Sequence, residues 1–167
     1  MSNHGEIMNS EISETPEIFA KLISANLFNE SLSALLETSD IKSVLILARG
    51  TSDNAAHFLK YLVETQLGLP CGLTSPSSVS IYNSKLKYQN TLVVAISQSG
   101  KSTDLVEFAK AAKAAGAKLV SMTNDETSPL ASNADFHISL QAGPELAVAA
   151  TKSYSAQLLI SYLLVMK

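Results

Sequence analysis

The chain has 167 residues, enough for about one domain with a core of its own. Hydrophobic residues make up 46% and charged residues 16%, which excludes a disordered chain. Lys and Arg number 12 against 15 Asp and Glu, so the basic surplus of a nucleic-acid binder is missing. A single cysteine, Cys71, excludes an internal disulfide framework and a cysteine-built zinc site, and it fits a cytoplasmic setting. No apolar run reaches the roughly 18 residues of a membrane helix, so no membrane partner is expected.

Residues 1–15 are polar and acidic, without the apolar core of a signal peptide. They read as a mobile N-terminal arm ahead of a single domain over 16–167. Thr15 and Pro16 mark a helix start, with Thr15 as cap. Ile18, Leu22 and Ile23 give its apolar face, and Leu32, Leu35 and Leu36 continue as a second helical stretch. Residues 43–48 form a short, unbroken apolar run, the mark of a strand buried on both faces of a parallel sheet. Ala55, Leu59, Leu62 and Val63 recur at helical spacing, and Gly68 and Pro70 end that helix.

Residues 71–74 read as an edge strand, and 75–90 as irregular chain. Residues 92–96 are the second strongly apolar strand. A helix follows with Leu105, Ala109 and Ala112 on its inner face, stopped by Gly116. Residues 119–122 make another strand, and Pro129 opens a short turn. Phe136, Ile138 and Leu140 alternate with polar residues, as on a half-exposed outer strand. The last helix runs from about Val148 to the end of the chain. Strands alternating with helices predict an α/β three-layer sandwich with a five-stranded parallel sheet, in the flavodoxin-like order 2-1-3-4-5.

In such a sheet ligands bind beyond the carboxyl ends of the strands, where the strand order reverses. That point falls between 43–48 and 92–96, at the turns Arg49-Gly50-Thr51-Ser52 and Ser97-Gln98-Ser99-Gly100. Each turn leads into a helix N-terminus, whose free N–H groups favour an anion such as phosphate. Ser52, Ser97, Ser99 and Ser102 add hydroxyl donors, and neither a metal nor a cofactor is required. A rival pattern runs from Ala95 to Ser102, a loose phosphate-binding loop with alanine for its first glycine and Lys101 reaching a nucleotide. It predicts magnesium-dependent ATP or GTP binding by a P-loop nucleotide hydrolase, and it leaves the 49–52 turn unexplained.

Three motifs in order carry a family resemblance: Ala48-Arg49-Gly50-Thr51-Ser52, Ser97-Gln98-Ser99-Gly100, and Gly143-Pro144-Glu145 with Val148-Ala149-Ala150-Thr151-Lys152-Ser153. Together they resemble the sugar isomerase (SIS) domain. Within that family they are most similar to the amino-terminal SIS half of the isomerase part of glucosamine-6-phosphate synthase, and more so to SIS-type glucosamine-6-phosphate deaminases. Gln141 stands where the deaminases often carry arginine, and Lys101 where the synthase carries an acidic residue. The resemblance implies that Gly50, Thr51, Ser52, Ser97, Gln98, Ser99 and Ser102 bind a sugar phosphate. It implies that backbone groups at Val148 and Ala150 meet sugar hydroxyls. It further implies that the proton-moving glutamate and a carboxy-terminal lysine lie in a second SIS domain, with the ring-opening histidine supplied by a neighbouring subunit. None of those regions is in this sequence. The expectation is therefore a phosphate-binding half, cut before its second domain and working in a homodimer on a phosphorylated hexose or amino-hexose. A sugar-phosphate sensor without turnover is the alternative.

Glu145 is the one carboxylate of the third motif and a candidate acid or base, since moving a proton between adjacent carbons suits a carboxylate. The competing role is to brace loop 141–152 by accepting from backbone N–H groups or pairing with Lys152. Lys152 sits in a first helical turn, where a cation opposes the dipole, which calls for a partner, either Glu145 or an anionic ligand. His57 reads as a surface or packing residue and His137 as solvent-facing. The apolar stripe of the last helix, left without a second half, predicts association.

Overall fold

The computed structural model describes residues 4–25, 27–28 and 30–166. Helices α1 (His4–Ser13), α2 (Thr15–Ser24) and α3 (Glu30–Thr38) lead into strand β1 (Ser43–Leu47). Then come α4 (Thr51–Leu62), a π-helical turn Val63–Leu67, β2 (Cys71–Leu73), a short α5 (Ser77–Ser80) and β3 (Thr91–Ser97). The chain closes with α6 (Thr103–Ala114), β4 (Lys118–Thr123), α7 (Pro129–Asn133), β5 (Phe136–Ser139) and α8 (Lys152–Met166). All neighbouring strands pair in parallel, in the order β2-β1-β3-β4-β5. This is the expected order, with helices on both faces of the sheet.

The two faces separate by residue parity, because successive strand side chains point to opposite sides. Val44, Ile46, Val94, Ile96, Val120 and Met122 face one layer, where they meet Leu22 of α2, Leu59 of α4 and Ile160 of α8. Leu47, Val93, Ala95 and Leu119 face the other, under Leu105, Phe108 and Ala112 of α6. Both central strands are thus unbroken apolar runs between their polar ends, over 44–47 and 92–96, for the reason expected of a sheet covered on both sides. The π-helical turn closes on Gly68, whose φ of 64° is the left-handed conformation that suits a helix end.

Four details depart from the expectations. The acidic N-terminal stretch is not a free arm: residues 4–13 are helical, and Glu11 is only 5% exposed. Thr15 is not the cap of α2; Glu14 occupies that position, with Pro16 in the first turn. The stretch 75–90 includes one helical turn, since residues 77–80 follow Pro76, which is pre-set for helical φ. Finally, α8 starts at Lys152 rather than near Val148, and its inner stripe is covered within the same chain, mainly by α4 and α2. That stripe is therefore not a free surface calling for a second copy.

Candidate phosphate site

The carboxyl ends of β1 and β3 are adjacent, with Leu47 beside Ala95 in register. The turns after them therefore face one another. Between them lies a cleft of about 190 Å³, lined by Thr51 and Ser52 from the first turn and by Ser97, Gln98, Ser99 and Ser102 from the second. Val148 and Ala150 from the loop before α8 complete it, together with Arg49 and Leu105. Gly50 lines the neighbouring hollow with Thr74 and Ser75 instead. Its φ of 62° and ψ of −134° let the chain turn sharply from β1 into α4. A larger hollow, of about 520 Å³ and mostly apolar, lies between α3, α4 and α8, away from these turns.

Neither α4 nor α6 has a side-chain cap, although Ser102 occupies the cap position of α6. The N–H groups of Thr51 and Ser52 and of Thr103 and Asp104 thus stay available to an anion at the cleft, while Asp53 N turns to Gly50 O and Leu105 N to Asp104 Oδ1. The serine hydroxyls are oriented by bonds in which oxygen accepts. Ser97 Oγ accepts from Gly100 N at 3.1 Å, and Ser99 Oγ from Lys101 N at 3.3 Å. Ser52 Oγ accepts from Gln157 Nε2 at 3.0 Å. In each case the hydroxyl hydrogen is left to donate to a ligand. Gly100 is needed where it stands. Its φ is 64°, and an added Cβ would lie 2.7 Å from Ser128 Cβ.

Arg49 bridges the two turns: its Nη1 meets Asp104 Oδ2 of α6 at 2.8 Å. The guanidinium keeps further N–H donors at the cleft rim. Lys101 turns away to Asp125, at 2.8 Å. Lys101 and the bonds from Thr127 hold the Asp125 carboxyl down to about 2. The phosphate-binding-loop pattern has no geometry to support it. Ala95, Ile96 and Ser97 belong to β3, leaving too short a loop to wrap a nucleotide phosphate.

The third motif is an irregular loop pinned by carboxylates. Glu145 Oε1 accepts from Thr151 N at 2.8 Å and Ser153 N at 3.2 Å, and its Oε2 accepts from Ser153 Oγ. Both oxygens are engaged and Glu145 does not line the cleft, so its place is that of a brace. Lys152 does find a carboxylate, but it is Glu14, at 2.7 Å, not Glu145. His57 is exposed on α4. His137 is half-buried rather than solvent-facing: its Nδ1 lies 3.0 Å from Ser121 Oγ, and burial lowers its pKa below the ordinary 6.5. Cys71 is buried on the edge strand, and burial pushes its thiol up to about 11. Among the described residues no three His, Cys, Asp or Glu converge as metal ligands, and no helix is long and apolar enough to cross a membrane.

Three contributions escaped the residue patterns: the bond of Arg49 to Asp104, Gln157, and the pair Glu11 and Glu14. Signals existed for two of them. Ser153, Gln157 and Ser161 recur every four residues, a buried polar stripe in an otherwise apolar helix. Glu11 and Glu14 stand three apart, close in sequence at the junction of α1 and α2.

Comparison with known proteins bears on this geometry. The family model described as SIS domain matches residues 37–167, most of the chain and all three motifs. The chain belongs to the SIS domain family. This SIS domain is 36% identical, over 96% of its length, to the glutamine–fructose-6-phosphate aminotransferase (isomerizing) of Acinetobacter baylyi. It spans only 28% of that relative. Its fold matches the C-terminal domain of glucosamine-fructose-6-phosphate aminotransferase from Francisella tularensis, with a TM-score of 0.86 and 29% identity, over 96% of this chain and 47% of that one. It also matches a protein from Silicibacter pomeroyi described as a phosphosugar isomerase, with a TM-score of 0.84 and 39% identity, over 93% of this chain and 50% of the other. The SIS domain is thus homologous to one part of the isomerizing aminotransferases.

Proposed function

We propose that this domain holds the phosphate of a phosphorylated hexose or amino-hexose in the cleft between the β1 and β3 turns. It would do so as the substrate-holding half of a ketose–aldose isomerase or glucosamine-6-phosphate deaminase. One observation carries the reading: two helix N-termini without side-chain caps meet four serine hydroxyls in a single cleft. Each helix N-terminus carries about half a positive charge and free N–H donors, which suits a phosphate. The homology to an enzyme named for fructose 6-phosphate supports the sugar.

The cleft lining includes no carboxylate, imidazole or amine. Groups that open the sugar ring and move the proton would therefore come from elsewhere, as the family resemblance implies: a second SIS domain and a neighbouring subunit of a homodimer. Phosphate binding would then hold the sugar while those groups act, and binding energy at this remote group is realised at the reacting carbons. The same bare lining favours a second reading, a sugar-phosphate sensor without turnover.

Thermal-shift titration without magnesium tests the site. Glucosamine 6-phosphate and fructose 6-phosphate are expected to raise the unfolding temperature, and glucosamine is not. Ligand at a hundred times its Kd stabilises by about 2.7 kcal/mol. Ser99→Ala/Ser102→Ala is the cleaner variant, because Ser97 Oγ holds a buried bond from Gly100 N at 3.1 Å, whereas the bond from Lys101 N to Ser99 Oγ is exposed and longer, at 3.3 Å. It should abolish the shift. A shift with ATP and magnesium alone overturns the reading. Turnover of glucosamine 6-phosphate once a second SIS domain is supplied separates enzyme from sensor, and sedimentation tests the homodimer.

A further inference from the structure

We propose that Glu11, in the last turn of α1, and Glu14, at the junction with α2, are positioning residues for the sugar-facing loop: they clamp residues 144–152 so that Val148 and Ala150 stand at the cleft. The inference rests on the function proposed above for the meaning of the cleft, but the clamp itself is a matter of geometry. The Glu11 carboxylate is buried and accepts from two successive backbone N–H groups, those of Leu146 and Ala147, the latter at 3.2 Å. A buried carboxylate requires such donors, and two adjacent N–H groups form a fitting cradle. Three residues on, Glu14 takes the Lys152 ammonium at 2.7 Å; that lysine is 2% exposed. The two carboxylates thus grip both sides of the loop apex.

Asn124 holds the base of the loop, its Nδ2 donating to Gly143 O at 2.7 Å and its Oδ1 accepting from Ala142 N at 2.9 Å, but it does not reach the apex. Residues 141–151 carry no helix or strand, and Val148 is 95% exposed. Glu145 ties the loop to the start of α8, but it belongs to the loop and cannot fix it against the rest of the molecule. Glu11 and Glu14 come from 135 and 138 residues earlier in the chain. They couple the N-terminal helices to the wall of the cleft opposite the phosphate turns. Loosening this wall should weaken sugar contacts and leave the phosphate turns intact.

The experiment compares wild type with Glu11→Ala, Glu11→Gln and Glu14→Gln. Amide hydrogen exchange at Leu146 and Ala147 is read against β3, and calorimetric titration compares glucosamine 6-phosphate with inorganic phosphate. In Glu11→Ala, exchange at 146 and 147 should rise by about tenfold or more with β3 unchanged, the signature of local opening. The glucosamine 6-phosphate Kd should rise by about tenfold, as expected when a preorganised loop must be ordered on binding, while inorganic phosphate changes by less than about twofold. Glu11→Gln keeps the side-chain shape and should show the same selectivity at smaller size. Should Glu11→Ala fail to fold, Glu14→Gln at its half-exposed position carries the test, with about a threefold selective loss. Unchanged exchange at 146 and 147, or equal weakening of both ligands, overturns the proposal. A wild type that binds neither ligand overturns the function above and not the clamp, which the exchange measurement decides without ligand.

Discussion

The cleft has two walls built in different ways. One consists of the turns after β1 and β3, each a few residues from a buried strand and opening directly into a helix. The other is the loop before α8, which has no regular structure and is held by carboxylates, two of them from the far end of the chain. Strand register and local backbone geometry place the turns; side-chain bonds place the loop. A wall of the first kind should fail only when its backbone is forced out of shape. A wall of the second kind should fail when a single carboxylate is lost.

Gly100→Ala should break the first wall most severely. The new Cβ would meet the Ser128 side chain while the backbone holds a positive φ. A loss of about 3 kcal/mol or more is expected from overpacking and strain together, measured by urea denaturation. Glu145→Ala should cost less, about 2 kcal/mol, by stranding the Thr151 and Ser153 amides it satisfies. Its loss should appear first as exchange at those amides, with the phosphate turns unaffected. Gln157→Leu should remove about 1 kcal/mol by leaving Ser52 Oγ buried without its donor. Because Gln157 ties the first turn to α8, phosphate affinity should fall as well, which tests whether the two walls are independent.

The smallest effect lies outside both walls. Burial lowers the pKa of His137, so the folded state favours the neutral ring. Its contribution to stability is present above the ordinary pKa of 6.5 and is lost as pH falls through the lower folded value. His137→Gln should flatten the stability profile on the acid side of that range, read by thermal unfolding between about pH 7 and pH 5. Phosphate affinity should not change. A change would join β5 to the site and blur the division between the walls.

Much of the first wall was legible from the residues. Two apolar runs, each ending in glycine and hydroxyl residues, dictate central strands and phosphate-accepting turns, because burial on both faces leaves no alternating pattern. The parity of Val44 and Ile46 against Leu47 fixes which face meets which layer. The second wall was legible only as a motif. Its Glu145 presented two roles, and its bonds to Thr151 and Ser153 support the brace. The acidic start of the chain looked like a solvated arm because charge usually marks a solvated surface. Glu11 is buried only because two N–H groups of a distant loop satisfy it.

By itself, the sequence determined the strands, their order, the two turns and the family to which they point. These depend on local hydrophobicity and backbone preference, which neighbouring residues carry. Only the tertiary structure decided that Gln157 serves Ser52, that Arg49 reaches Asp104, and that Glu11 and Glu14 hold the loop. Those bonds join residues between 55 and 138 positions apart, and no local pattern encodes a partner at that distance. Folding brings them together because a buried polar group must find its complement or remain in water.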